Sequence, residues 1–156
     1  MRENGDIIVR EALGADMPGI TRVRTSVVEN LLTREQLAAR GITEASIAAS
    51  FLAESKGWVA ARSGEVVAFS IADRASNSIF ALFVLPQWEG RGLGSRLLDL
   101  ALDWLWANGA DRVWLTTGPE TKAAQFYERR GWVATGTAPG GDRRYELVRP
   151  PSAKPK

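Results

Sequence analysis

The stretch VLPQWEGRGLGSRLL, Val84 to Leu98, sets three glycines within five residues, between an apolar run and an apolar-periodic segment. Glycine at that density is costly inside a helix or strand, so the backbone there must take dihedrals that other residues resist, or must be approached closely. Upstream, SNSIFALFV reads as a buried strand. Downstream, Leu93, Leu97, Ala101 and Leu105 share one helical face, with Leu98 and Leu102 beside them. The glycines therefore occupy a strand-to-helix junction. One reading is a tight turn with nothing bound. The other uses the unpaired N–H groups and positive dipole end of the helix N-terminus, which bare glycines open to an anion, usually a phosphate. Arg91 adds a positive charge there and Ser95 a hydroxyl.

Two common phosphate loops do not fit. A P-loop ends in Lys followed by Ser or Thr, and no such pair occurs here. A dinucleotide fingerprint would run Gly90, Gly92, Ser95, so its third glycine is missing. That fingerprint also belongs early in a parallel sheet, whereas an antiparallel meander precedes this one.

The meander follows from turn chemistry. GWVAAR and EVVAFSIAD flank Ser63-Gly64, a strong hairpin signal, and SNSIFALFV makes the third strand. Before it lie a strand at Asp6 to Ala12, a helix from Met17 to Leu32 that Asp16 can cap, with Ile20, Val23, Val27 and Leu31 at helical spacing, and a helical region from about Thr33 to Glu54 interrupted by Gly41. After the long helix, Asn108-Gly109 is a stop signal. DRVWLTT is then a strand, ETKAAQFYERRG a short helix, and WVATG with RRYELV a closing hairpin. The order predicts one α/β domain over residues 1–148, with a mixed, mostly antiparallel sheet of about seven strands and about four helices. Residues 149–156, rich in Pro and Lys, are expected to form a disordered tail.

Composition removes several chemistries. The 156 residues contain no cysteine and no histidine, which excludes disulfides, thiolate metal sites, a cysteine nucleophile and a Ser-His-Asp triad. No metal is expected. The net charge is only +2, and Arg143, Arg144, Arg149, Lys154 and Lys156 are too diffuse for a nucleic-acid footprint. No run reaches membrane-spanning length and the start lacks a signal-peptide core, so a cytoplasmic protein with neither membrane nor nucleic-acid partner is expected.

The junction EGRGLG, Glu89 to Gly94, with Pro86 before it and Ser95, Leu97 and Leu98 after it, resembles the acetyl-CoA motif of the GNAT superfamily of N-acetyltransferases. That signature has Gln or Arg, two residues, Gly, one residue, then Gly or Ala; Glu89 departs from it at the first position. A second signature, Asn-x-x-Ala-x-x-x-Tyr-x-x-x-Gly-Phe/Trp, is similar to Glu120 to Trp132, with Ala123, Tyr127, Gly131 and Trp132 in register and Glu120 in place of Asn. The resemblance covers nearly the whole chain and implies a GNAT fold splayed between its fourth and fifth strands. It further implies acetyl-CoA as cosubstrate in the gap, without a metal. Leu82, Phe83 and Val84 would meet the pantetheine arm and thioester. Gly90, Arg91, Gly92, Leu93, Gly94 and Ser95 would cradle the pyrophosphate, with Glu89, Glu120, Ala123 and Phe126 as further cofactor-side positions. Tyr127 would be the general acid for the leaving thiolate, and a homodimer packed through sheet or helices is a further expectation.

The acceptor implied is a primary amine of a small molecule or peptide, attacked directly in a ternary complex. A neutral phenol is available at pH 7 to share its proton with a thiolate. Asp73 and Glu29 are candidate bases, though each also reads as an ordinary surface carboxylate. Glu29, Asn30, Arg34, Trp58 and APGGDRR are expected around the acceptor; acidic groups would suit a polyamine, whereas Arg143 and Arg144 would suit a carboxylate-bearing amine. A GNAT-fold module that binds acyl-CoA or a partner without catalysis is the rival reading, kept open by Glu89 and Glu120.

Overall fold

Ser63 and Gly64 both take positive φ, 51° and 83°, as a two-residue hairpin turn of the twisted I′ type requires. That turn joins β2 (Ser55–Arg62) to β3 (Glu65–Asp73), and β4 (Ser78–Val84) completes the meander. A computed structural model describes residues 6–26 and 34–151. Around the meander lie β1 (Ile7–Glu11), α1 (Met17–Arg24), α2 (Arg34–Ala39), α3 (Glu44–Ser50), α4 (Leu93–Ala107), β5 (Arg112–Thr117), α5 (Lys122–Arg129), β6 (Val133–Thr137) and β7 (Arg143–Val148). The strands form one sheet in the order β1-β2-β3-β4-β5-β7-β6, antiparallel throughout except between β4 and β5.

The α4 stripe behaves as its spacing predicts. Leu93, Leu97, Leu98, Ala101, Leu102 and Leu105 are all buried, and the helix packs on β2, β3 and β4. Fully buried Ser70 donates its hydroxyl to the Leu97 carbonyl at 3.1 Å, tying β3 to the first turns of α4. On the opposite face Met17, Ile20 and Val23 of α1 are buried, with α1 against β3. The helix stops at Asn108, with Gly109 at φ 94°.

Gly41, at φ 79°, interrupts the second helical region as expected and divides it into α2 and α3, so the described residues hold five helices. The first helix is described only to Arg24 and its following turn; Val27 and Leu31 lie outside the described residues. Arg149, assigned to the tail, is held to the fold: its guanidinium donates to the carbonyls of Ala110 at 2.9 Å and Trp106 at 2.8 Å. Among the described residues no helix is long and apolar enough to cross a membrane.

Asp16 also acts differently from the expected helix cap. It sits at the start of α1 but makes no cap bond to that helix. Its carboxylate instead accepts the Leu13 N–H at 2.7 Å, within the 3-10 turn Gly14–Asp16, and a two-pronged bond from Arg10 at 2.8 Å. Arg10 is the main cause holding the Asp16 carboxyl below its usual 3.8. A depressed carboxylate stabilises the fold above its unfolded pKa and loses that contribution as pH falls through the folded value. Asp16→Asn should therefore cost about 1 kcal/mol at pH 7, allowing for the exposure of Arg10. In urea titrations across pH, the gap to wild type should close below about pH 4.

Candidate active-site cleft

β4 and β5 are parallel neighbours that share a single paired position, Ser78 with Trp114. Near it the strands are pinned, since Trp114 donates its backbone N–H to Asn77 at 3.1 Å and its indole N–H to Ser76 at 2.8 Å. Beyond it they part. Hydrogen-bonded pairs alternate along an antiparallel ladder, and the Leu85 N–H donates to Val67 across β3. By that alternation the backbone groups of Leu82 and Val84 face away from β3, into the gap. The gap opens into a cleft of about 950 Å³.

At one end of the cleft lies the glycine turn. Gly90 and Gly92 take φ of 78° and 82°, and a Cβ at either would meet nothing within 4 Å, so an open cradle surrounds them. Gly92 is the N-cap of α4, and no side chain caps the helix. Its first N–H groups therefore keep the positive end of a 15-residue helix open to a ligand. Gly94 sits at a neck, where an added Cβ would lie 3.8 Å from both Phe126 Cζ and Val84 Cγ2.

The departure at Glu89 is answered from α5. Glu89 pairs with Lys122 at 3.5 Å, which draws its carboxylate toward a cation. Arg91, expected in the pyrophosphate cradle, lies outside the cleft lining, its guanidinium 4.5 Å from the centroid of the Trp88 ring. Ser95 lines the cleft, and its hydroxyl is bonded by Arg130, whose guanidinium also lies 4.9 Å from the Phe126 centroid. Sequence reasoning missed Arg130, because 35 residues separate it from Ser95 and no local pattern links them. Lys122 had a weak signal, a cation in the first turn of the tyrosine helix.

Thr121 caps α5 by accepting the Ala124 N–H at 3.1 Å. Lys122, Ala123, Phe126 and Tyr127 of that helix line the cleft, together with Leu82, Phe83, Val84, Glu89, Gly90, Gly92, Leu93, Gly94 and Ser95. Glu120 does not. It precedes the cap, exposed, with φ of 62°. Asparagine tolerates that left-handed backbone far better than glutamate does, so the turn itself gives a reason for an Asn there.

Tyr127 is only 5% exposed and is fixed by rings on three sides. Phe126 and Trp132 stand edge-on at 5.3 and 5.5 Å between centroids, and Tyr145 lies at 6.4 Å. Burial pushes its phenol well above the ordinary value of 10, so it stays protonated at physiological pH. Tyr145 donates to Glu128 Oε2 at 2.5 Å and accepts from Arg143 at 3.3 Å, which locks α5 onto β7.

The other end of the cleft is lined by α1, α2, α3 and the β6–β7 turn, including Arg24, Arg40, Glu44 and Asp142. Of the residues expected there, Glu29 and Asn30 lie outside the described residues, as does the side chain of Arg34. Trp58 belongs to the core, edge-on to Trp104 at 6.1 Å. The Asp73 carboxylate is occupied in its own turn, accepting from the Ala75 N–H at 2.9 Å and the Ser76 hydroxyl at 3.0 Å, and it does not line the cleft. Among the described residues no group of His, Cys, Asp or Glu is placed to hold a metal.

The model of the acetyltransferase (GNAT) family matches residues 26–132, more than half of the chain, and the chain belongs to that family. The mycothiol acetyltransferase of Beutenbergia cavernae is 44% identical over 64 residues, which cover 40% of this chain and 22% of that protein. The chain thus spans only about a fifth of that relative. The PaiA N-acetyltransferase of Thermoplasma acidophilum, solved in complex with coenzyme A, superposes with a TM-score of 0.78 at 14% identity, over 92% of this chain and 99% of that one. A GNAT-family acetyltransferase from Staphylococcus aureus Mu50 gives 0.74 at 17% identity, with the same coverages. These structures share the fold.

Glu120 yields a stability test independent of ligand. Glu120→Asn should raise the urea midpoint without changing m, a gain of roughly 0.5–1 kcal/mol in stability, because the left-handed backbone penalty relieved exceeds the exposed charge interaction with Arg143 that is lost. A lower midpoint would mean that the Glu120 side chain makes a stabilising contact.

Proposed function

We propose that this chain transfers the acetyl group of acetyl-CoA to a primary amine by direct attack in a ternary complex. One observation carries the reading: the gap-facing amides of Leu82 and Val84, the uncapped N-terminus of α4 and the Tyr127 helix converge on a single cleft. The open cradle at Gly90 and Gly92 fits a pyrophosphate, since nothing there fills the approach to the helix amides. The Glu89–Lys122 pair offsets the repulsion that a lone carboxylate would exert on it. The coenzyme A bound in the PaiA structure, which shares this fold, supports the same ligand class.

When bound, acetyl-CoA supplies the thioester to be attacked. This chain's part is positioning and electrostatics. The Val84 N–H is available for negative charge developing on the thioester carbonyl oxygen. The Tyr127 hydroxyl holds its proton at the opposite wall. With its pKa raised, the phenol serves the departing sulfur mainly as a hydrogen-bond donor, since full transfer of its proton to a thiolate whose conjugate thiol has an ordinary pKa of about 8.5 runs uphill.

Thermal unfolding with acetyl-CoA, CoA, NAD and ATP tests the ligand class. Acetyl-CoA at about 100 times its Kd should stabilise by about 2.7 kcal/mol, a rise of roughly 5–10 °C, with no comparable rise for NAD or ATP. Tyr127→Phe should keep that shift while kcat for thiol release falls about 100-fold. Binding of CoA species without release to any amine would favour the non-catalytic module.

A further inference from the structure

The acceptor end of the cleft carries two guanidiniums, Arg24 and Arg40, and two carboxylates, Glu44 and Asp142. Arg24 closes α1 and lies 4.4 Å from the centroid of Phe83, so a half-buried cation sits beside the β4 segment that borders the gap. Arg40 follows α2 and lines the same cleft, near enough for its charge to act on Arg24. Asp142, on the β6–β7 turn, acts on Arg24 with the opposite sign and more weakly than Arg40. The wall beside the two arginines is apolar, formed by Ile20, Leu37, Ile42 and Ile47.

At Arg24 itself, where Arg40 outweighs Asp142, this pattern disfavours a polycation. A polyamine would bring several ammonium groups against Arg24 and Arg40, and like charges in a partly desolvated cleft repel. An amine carrying an anionic group meets the opposite situation. Its carboxylate can take the planar fork of a guanidinium, whose five N–H donors can serve a substrate as well as any partner already present. The same cations lower the pKa of a nearby ammonium, raising the fraction of neutral amine that can attack. Arg143 and Arg144, which the sequence suggested for a carboxylate, do not line the cleft. Arg143 bonds Tyr145 and lies 3.6 Å from Glu128, while Arg144 pairs with Glu146 at 3.1 Å and stacks 4.3 Å from Trp114.

Building on the acetyl-transfer reading, we propose that the acceptor is a small primary amine bearing a carboxylate and an apolar body. Arg24 receives the carboxylate and Arg40 reinforces its field.

The test is thiol release at saturating acetyl-CoA with four probes: leucine, leucinamide, isopentylamine (leucine without its carboxylate) and spermidine. Leucine should exceed each of the others at least tenfold in kcat/KM. Arg24→Gln should collapse that selectivity, raising KM for leucine about tenfold more than for leucinamide. Arg24→Lys should retain part of it, because the charge remains and the fork is lost. A preserved acetyl-CoA thermal shift reports that each variant is folded, and exposed Arg40→Gln carries the comparison if Arg24→Gln does not fold. Transfer to spermidine or isopentylamine as efficient as to leucine would overturn the acceptor assignment alone. Equal losses for all probes in Arg24→Gln would do the same. Release to none of the four, with acetyl-CoA still bound, would overturn the acetyl-transfer reading and this assignment with it.

Discussion

β4 and β5 are each committed along their length to a different neighbour. β4 is paired to β3 from Ser78 to Val84, and β5 to β7 from Arg112 to Thr117, while the two share only Ser78 with Trp114. Two halves of one sheet thus meet at a pin and diverge. Divergence turns a row of backbone polar groups toward open space, where water or a ligand must satisfy them. The site follows from that geometry, because the amides of Leu82 and Val84 are presented by a strand whose other edge is paired to β3. The Ser70–Leu97 bond and the buried leucine stripe of α4 hold the helix start against the same strands. The two sets of N–H groups accordingly keep a constant relation.

Charge in the cleft is divided by position. The α4 N-terminus is served by a helix dipole and free amides rather than by a ring of basic side chains. The cations nearby have other tasks: Lys122 neutralises Glu89, Arg130 orients Ser95, and Arg91 packs on Trp88. Arg24 and Arg40 stand at the far end. Tyr127 lies in an aromatic cage of Phe126, Trp132 and Tyr145, which fixes its ring and raises its pKa by the same act of burial.

Much of this was legible locally. Turn chemistry at Ser63-Gly64, the 3.6-residue stripe of α4 and the stop at Asn108-Gly109 depend on neighbours in sequence, and each element formed where those signals put it. The expectations that moved were those in which a polar or aromatic side chain chose among partners. Asp16 faces both a helix to cap and Arg10, and the Arg10 fork and the Leu13 amide win. Trp58 could line a pocket or pack on Trp104, and the core takes it. Arg149 continues the fold because β7 delivers it to two carbonyls, one at the end of α4 and one in the loop beyond.

By itself the sequence determined the order of elements, the excluded chemistries and the glycine-opened helix start, because these rest on backbone dihedrals, periodicity and residue inventory. It also placed Tyr127 one turn from the end of its helix, at the family spacing. Only the tertiary structure decided which side chains reach the cleft. Residues as far apart as Arg24, Phe83 and Asp142, or Ser95 and Arg130, are brought together by sheet order and helix packing. No one-dimensional spacing encodes those distances, because they are set by how the two halves of the sheet part.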